Sequence, residues 1–494
     1  MQSKSRKRIW FVASFAAAFF LSQCAPAATP VVQTQVVVQT QVVPQTQVVT
    51  QVVNQTQVVV NTQVVQNVVT ATPAPASGVV KVLLIGYPDQ DAVDAVTGAK
   101  TPGIDKLKAA FEAAYPSIDL QITNIPWGSG STGYVPRTEA MVQGQEACIY
   151  DMPGAPDFGR RGYLENLDPY IAADTSFQNV WGDGQLKQWR GWGPGNPDNL
   201  WGLPFQVGAR NIQYDATLFQ QWGVEPLSAN PTLDEIMTKA AKMTGKNPVT
   251  GEQNYGYWMQ GGYINWQFQT IAHAMGANWG TVNADGTWTI NWNTPQYLAA
   301  LKWLVAMTAY APPGALTSDT MPPGYLTDKN TVAIIPETEN GYFIPSFVSS
   351  PDLQKRFRTV NNLVGPDGKG GLYAGNPLSM ATSCPNKQAA WVAIKWLAGS
   401  EASQLYNFQT GWLSARADGA KTIPALSQLQ DIAPILGQIN YAEFRYPWAT
   451  AQPRFSLQSA IELALAKSIT PEQALTQAQK ETDDWLKQQK TAGQ

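Results

Sequence analysis

The chain has 494 residues, 44% of them hydrophobic, enough for two or three domains around a sizeable buried core. Only 14% are charged, against about 25% in an average soluble protein. Lys plus Arg number 33 and Asp plus Glu 36, and a mildly acidic chain lacks the basic footprint of a nucleic-acid binder. With one histidine, His273, and three cysteines, a zinc finger, a His-rich metal site or a Ser-His-Asp triad would each rest on a single imidazole. No metal or cofactor is expected. The outlier is tryptophan, with 18 residues, which points to large flat aromatic surfaces.

The N-terminus reads as an address and a tether. Lys4, Arg6, Lys7 and Arg8 precede the uncharged apolar run Ile9 to Leu21. That run falls short of the roughly 20 residues of a spanning helix and has the plan of a signal peptide, residues 1–23. Leu21-Ser22-Gln23-Cys24 resembles the lipobox of bacterial lipoproteins, in which the Cys24 thiol would be acylated and hold the protein on the outer face of a membrane. The other reading is a plain secreted protein with a spare thiol. Residues 24–78 then form a low-complexity stalk in which Thr-Gln-Val-Val recurs from Thr34, Thr40, Thr46, Thr50, Thr56 and Thr62. Repeats this short and polar read as a disordered linker, reaching about 40 Å as a flexible coil.

From Val79 the pattern becomes globular. Val80 to Ile85, ending in Gly86, reads as a buried parallel strand. Ile104 to Tyr115 has helical apolar spacing and stops at Pro116. A strand from Ile118 to Ile122, a helix from Tyr134 to Gln145 and a strand from Ala147 to Tyr150 continue the βαβαβ rhythm. This rhythm predicts an α/β fold whose parallel sheets carry helices on both faces and bind ligands at the carboxyl ends of the strands. Those ends carry Tyr87 and Asp89, Trp127, and Asp151. Further on, Thr232 with Glu235 spells a capping box, and Thr331 to Ile335 reads as a strand with Glu337 and Glu339 following it. Trp288 and Trp292 sit in a predicted hairpin, whereas Trp222, Trp303, Trp391, Trp396 and Trp485 fall in helical patterns and read as core. His273 reads as a structural residue of a helix.

Several short elements occur in one order: Gly162-Tyr163-Leu164-Glu165-Asn166-Leu167-Asp168-Pro169-Tyr170, then Gly202-Leu203-Pro204-Phe205 through Tyr214-Asp215, then Pro231-Thr232-Leu233-Asp234-Glu235. Gly365-Pro366-Asp367-Gly368 and Asn386-Lys387-Gln388-Ala389-Ala390-Trp391 follow. In this the chain resembles the extracellular sugar-type solute-binding proteins of ABC importers, the group that contains maltose-binding protein, over about Val79 to Lys490. The resemblance implies a two-lobed fold with a ligand cleft at a hinge. Lobe 1 would comprise 79–205 plus 375–412 and lobe 2 206–374 plus 413–490, with hinges near Phe205 and Gly375. It implies a binding protein without catalysis, delivering a carbohydrate to a membrane permease with its ATPase. The chain has no G-x-x-x-x-G-K-[ST] loop of its own.

A sugar offers C–H faces to flat aromatics and hydroxyls to carboxylates, amides and arginine. The expected contacts are Tyr87, Asp89, Trp127 and Asp151 in lobe 1, and Gln206, Arg210 and Asn376 at the hinges. In lobe 2 they are Trp258, Gln260, Trp266, Glu339, Tyr342, Arg445 and Trp448. Low charge and many Trp, Asn and Gln favour a neutral sugar. Cys148 and Cys384 both fall in lobe 1 near strand ends, and an exported location permits a disulfide between them; two separate buried thiols are the alternative. Two rival functions stand beside this one: a secreted glycoside hydrolase using Asp151 and Glu339 as its carboxylate pair, and a surface protein that reuses the fold.

Overall fold

The structure, a computed structural model, describes residues 76–93, 100–126, 134–174, 176, 180–181, 185–186, 188–191, 199–208, 210–283, 287–317, 321–339, 344–371, 375–399, 402, 413–416, 427–441 and 452–491. The signal peptide, Cys24 and nearly all of the stalk lie outside them. In chain order, the first half runs β1 (Gly78–Ile85), α1 (Ile104–Ala114), β2 (Ile118–Ile125), α2 (Tyr134–Gln143), β3 (Ile149–Asp151), β4 (Leu203–Pro204), β5 (Gln206–Val207) and β6 (Arg210–Asp215). The middle runs α3 (Ala216–Gln221), α4 (Leu233–Lys242), β7 (Gly245–Lys246), β8 (Gln253–Tyr257), α5 (Ile264–Ala274), β9 (Gly280–Val282), β10 (Trp288–Ile290), α6 (Pro295–Met307), β11 (Val332–Glu339) and β12 (Phe357–Val360). The chain closes with β13 (Pro377–Met380), α7 (Lys387–Leu397), β14 (Leu413–Ser414), α8 (Ile432–Tyr441), α9 (Gln452–Leu465) and α10 (Pro471–Thr491).

Val82, Leu83, Leu84 and Ile85 are all buried, as expected of a strand covered on both faces at the centre of a parallel sheet. The first sheet accordingly has the order β2-β1-β3-β13-β4, with β1 parallel to both β2 and β3. On α1, Leu107 and Phe111 lie one turn apart and face inward. Phe111 meets Trp396 of α7 edge-on at 5.4 Å. The sheet is mixed where the sequence pattern predicts parallel strands alone, because β13 runs antiparallel to β3 and β4. Strand β13 enters from the second half of the chain, so it needs no helical crossover and can reverse direction.

The second sheet, β12-β6-β11-β8-β7, is also mixed: β8 and β11 are parallel, and β6 is antiparallel to β11 and β12. Strand β11 is longer than the sequence suggests. It continues through Glu339, past a register shift between Ile335 and Thr338, so Glu337 and Glu339 are strand residues instead of following the strand. Pro336 sits in that shift, where a residue without an N–H is tolerated. Trp292 donates from Nε1 to Thr482 Oγ1 at 3.0 Å, and Trp288 stacks on Trp485 at 5.8 Å. Trp303, Trp391 and Trp396 are buried on their helices, and Trp222 is tied to Asn254 Oδ1. These indoles are structural. His273 on α5 is paired with Asp367 at 3.0 Å.

At the start of α4, Thr232 Oγ1 accepts from the Glu235 N–H at 3.1 Å. The capping box is only half present. The Glu235 carboxylate turns to the N–H and hydroxyl of Ser228, at 2.8 and 2.6 Å, and to Lys239 at 2.7 Å. Thr232→Ala is expected to lower the unfolding free energy by about 1 kcal/mol, read from a urea midpoint at unchanged slope. A larger loss would mean that Thr232 does more than cap the helix.

The passages between the two sheets converge on Gln206. Strands β5 and β14 pair antiparallel, setting Leu413 against Val207 and Ser414 against Gln206. Gly375, just before β13, has φ +118°, and a Cβ there would lie 2.3 Å from the Gln206 carbonyl oxygen. Only glycine serves at such a crossing. Apolar residues of these passages, Phe205, Val207, Leu413 and Ala415, belong to one buried cluster with β1, β3 and α7. The structure also joins Cys148, just before β3, to Cys384, just before α7, with Cα atoms 4.7 Å apart.

Candidate ligand site between the two sheets

The carboxyl end of β1 is held by Tyr87, Asn124 and Asp151. Gly86 adopts φ +77°, Tyr87 follows it, and the Tyr87 hydroxyl donates to Gln206 Oε1 at 2.8 Å. Asn124, from the end of β2, holds the neighbouring loop: its Oδ1 accepts from the Tyr87 N–H, and its Nδ2 donates to the Tyr87 carbonyl and to Asp89 Oδ1. Asp151 ends β3 fully buried, and its Oδ2 accepts from the Ile85 N–H at 3.1 Å. Tyr87, Asp151 and Gln206 are thus brought together at one edge of the first sheet, while Asp89 is exposed beside them. Asn376 is buried next to Gly375 at the passage that packs on Gln206. Trp127 lies outside the described residues.

In the second sheet the matching edge is formed by the start of β6 and the ends of β8 and β11, since the ladder sets Arg210 opposite Glu339. After β8 the chain turns through Trp258, Met259 and Gln260 into the one-turn helix Gly261–Tyr263 and then α5. Gln267 of α5 ties this turn down: it donates from Nε2 to the Tyr257 hydroxyl and the Trp258 carbonyl, and its Oε1 accepts from the Gln260 N–H. Gln260 Nε2 donates to the Pro336 carbonyl. From α9, Gln458 accepts from the Asn265 N–H at 3.1 Å and donates to the Gly261 carbonyl at 3.0 Å. The first turn of α5 is therefore fixed from two directions.

That turn presents Tyr263, Asn265 and Trp266. The Arg210 guanidinium lies 5.9 Å from the Tyr263 ring centre, and that of Arg454, at the start of α9, lies 5.0 Å from the Trp266 ring. Burial pushes the Arg454 guanidinium below the usual arginine range, the phenols of Tyr134 and Tyr263 oppose that fall, and the charge of Arg210 adds to it. Tyr134 opens α2, which follows the carboxyl end of β2. Arg454 therefore lies within electrostatic reach of Tyr134 on α2 and of Arg210 on β6. Among the described residues, Gln206 Nε2, Trp258 Nε1 and both amide atoms of Asn265 are buried without a hydrogen-bond partner.

Arg210, Gln260 and Trp266 lie about the turn Gly261–Tyr263: Arg210 against the Tyr263 ring, Gln260 directly before the turn and Trp266 in the helix after it. Trp258 is 2% exposed within the core of the second half. Glu339 is located here by its backbone alone. Tyr342, Arg445 and Trp448 lie outside the described residues. Sequence reading did not single out Tyr134, Tyr263 or Arg454. The available signals were the Gly-Gly-Tyr turn and a cation at a helix start in a chain with few charges. Among the described residues no group of three or more His, Cys, Asp or Glu could hold a metal ion, and no helix is long and apolar enough to cross a membrane.

Comparison with known proteins agrees with this architecture. A candidate binding protein of Brucella abortus (strain 2308) is 26% identical over 332 residues, 65% of this chain and 75% of that protein. An ABC substrate-binding protein from Listeria monocytogenes, solved in complex with cycloalternan, superposes with a TM-score of 0.65 at 18% identity, covering 84% of this chain and 99% of its own. The sugar-binding protein MalE from the phytopathogen Xanthomonas citri gives a TM-score of 0.66 at 17% identity, with coverage of 84% and 99%. At such identities these two structures establish the fold alone. The model of the family described as bacterial extracellular solute-binding protein matches residues 97–404, well over half of the chain, and the chain belongs to that family.

Proposed function

We propose that this protein captures a carbohydrate between its two α/β halves and delivers it, chemically unchanged, to an ABC permease with an attached ATPase. The observation that carries this reading is the first turn of α5. Two aromatic rings, Tyr263 and Trp266, flank Asn265, whose amide is fully buried with both atoms unpartnered among the described residues. A buried amide left unsatisfied is costly, and a hydroxyl-rich ligand would supply its donors and acceptors. The structures similar to this one include proteins solved with cycloalternan, maltose and ribitol. The signal peptide would direct export, and an acyl group on Cys24 would keep the protein at the outer face of the membrane, on a stalk long enough to approach its permease.

The first-half residues Tyr87 and Asp151 and the hinge residues Gln206 and Asn376 would meet the ligand from the other side. Arg445, Tyr342 and Trp448 would complete the second wall. In this reading Asp151, bonded to the β1 backbone, shapes the strand ends and does not act as a catalytic acid. Incubation with an oligosaccharide panel tests the proposal: a saturable tryptophan fluorescence change with intact sugar is expected, whereas released reducing ends would establish hydrolysis. Trp266→Ala is expected to weaken binding by about 1–3 kcal/mol, measured by titration calorimetry. Unchanged affinity would remove the α5 turn from the site.

A further inference from the structure

Among the described residues the exposed aromatic rings are Tyr115 and Phe455. Tyr115 follows α1 with its ring tilted on Phe111 at 5.2 Å, and a phenol has a polar tip to keep in water. Phe455 has no polar side-chain atom, yet it is 46% exposed, on the side of α9 opposite the buried stripe of Leu457, Ala460, Ile461 and Ala464. Its surroundings tie it to the first turn of α5. The Arg454 guanidinium lies over the Trp266 ring at 5.0 Å and over the Phe455 ring at 5.4 Å, so the two ring centres are no farther apart than those distances taken together. One turn along α9, Gln458 bonds the Asn265 N–H and the Gly261 carbonyl. That pair of bonds fixes the helix that carries Phe455 against the turn that carries Trp266. Trp266 is 8% exposed, and Phe455 continues the aromatic surface from it toward solvent.

We propose that Phe455 is an outer subsite and that the ligand is an oligosaccharide, with one unit held at the α5 turn and a further unit laid by its C–H face on the Phe455 ring. This rests on the carbohydrate reading above and gives the ligand a length. A single sugar ring covers one aromatic side chain, whereas linked rings cover two. Taking the exposed phenyl out of water adds apolar burial to the binding energy. A phenyl ring has no donor or acceptor with which to read a hydroxyl. The outer subsite therefore responds to the presence of another unit and is indifferent to its stereochemistry.

The test uses the full-length protein and titration calorimetry with sugars of increasing length, from the monosaccharide upward, in several series: α-linked and β-linked gluco-oligosaccharides, xylo-oligosaccharides and manno-oligosaccharides. In at least one series the affinity is expected to rise by about tenfold on adding the unit that reaches Phe455 and to level off beyond it. Phe455→Ala is expected to remove that rise, bringing the longer members down to the affinity of the shorter, and Phe455→Trp to keep it. Because the ring lies on the surface, both variants are expected to melt without ligand within about 1 °C of wild type, which separates a lost contact from a lost fold. Equal affinity at all lengths in every series that binds would overturn the outer subsite and leave the carbohydrate reading standing. So would a rise with length that survives Phe455→Ala, or a loss in that variant that is the same at every length. If no member of any series binds, both readings fail.

Discussion

Replacing Asp215 with alanine is expected to lower the unfolding free energy by about 3–5 kcal/mol, the range for removing one partner of a buried ion pair. Asp215 ends β6 with no exposed surface and performs three tasks at once. Its Oδ1 caps α3, accepting from the N–H groups of Thr217 and Leu218 at 3.0 and 3.2 Å. Its Oδ2 accepts from Asn330 Nδ2 at 2.9 Å and from Arg356, at 2.9 Å to Nε and 2.8 Å to Nη2. Alanine would leave the largely buried Arg356 facing an apolar stub. Asp215→Asn separates the roles, since one amide oxygen could keep the cap while the amide nitrogen would confront the donors of Arg356 and Asn330. The expected order of stability is therefore wild type, then Asn, then Ala, read from urea midpoints at constant slope. An alanine variant within 1 kcal/mol of wild type would show that water takes over these bonds.

Removing the disulfide should have an effect of similar size. The Cys148–Cys384 bond closes a loop of 236 residues, and the chain-entropy argument gives about 5 kcal/mol for a loop of that length, the upper end of what native disulfides contribute. Both cysteines are almost fully buried, so the double serine variant also places two hydroxyls in an apolar setting. A fall in melting temperature of roughly 5–10 °C is expected, with the same shift when wild type is reduced under denaturing conditions and refolded with reductant present. Because the bond lies beside the first sheet, tying the segment before β3 to the one after β13, ligand affinity should be nearly unchanged in whatever fraction remains folded. Equal melting temperatures for oxidised and reduced protein would show that packing of β3 against β13 suffices without the bond.

What could be read from the sequence follows from where the information is stored. Val80 to Ile85 and Ile104 to Ala114 announce themselves because burial on both faces, or on one stripe, leaves an unbroken or periodic apolar pattern. Strand β6 does the opposite. Arg210, Asn211, Gln213 and Asp215 are all buried, and hydrophobicity gives no warning of it. Their partners lie far along the chain: Asn211 Nδ2 donates to the Pro434 carbonyl, the Tyr325 hydroxyl bonds Gln213, and Asp215 meets Arg356. Only the resemblance of the surrounding motif marked the segment as a crossover. The site divides in the same way. Of the candidate ligand residues, Tyr87, Gln206 and Asn376 stand at strand ends punctuated by Gly or Pro, where a local reading can find them. Arg454 and Tyr134 look locally like ordinary helix starts, and what joins them is proximity in space, which no local pattern encodes.

The seam between β3 and β13 has a consequence for how the molecule is made. A polypeptide emerging vectorially, from a ribosome or a translocation channel, offers β1, β2 and β3 early. The edge of β3 then stays bare until residues 377–380 arrive, and an unpaired strand edge is a template for the wrong neighbour. The second sheet has no such delay, because its five strands all lie between Arg210 and Val360. The half that is begun first is thus completed last, around a scaffold assembled in the interval. A holding chaperone would be needed most for the nascent amino-terminal segment.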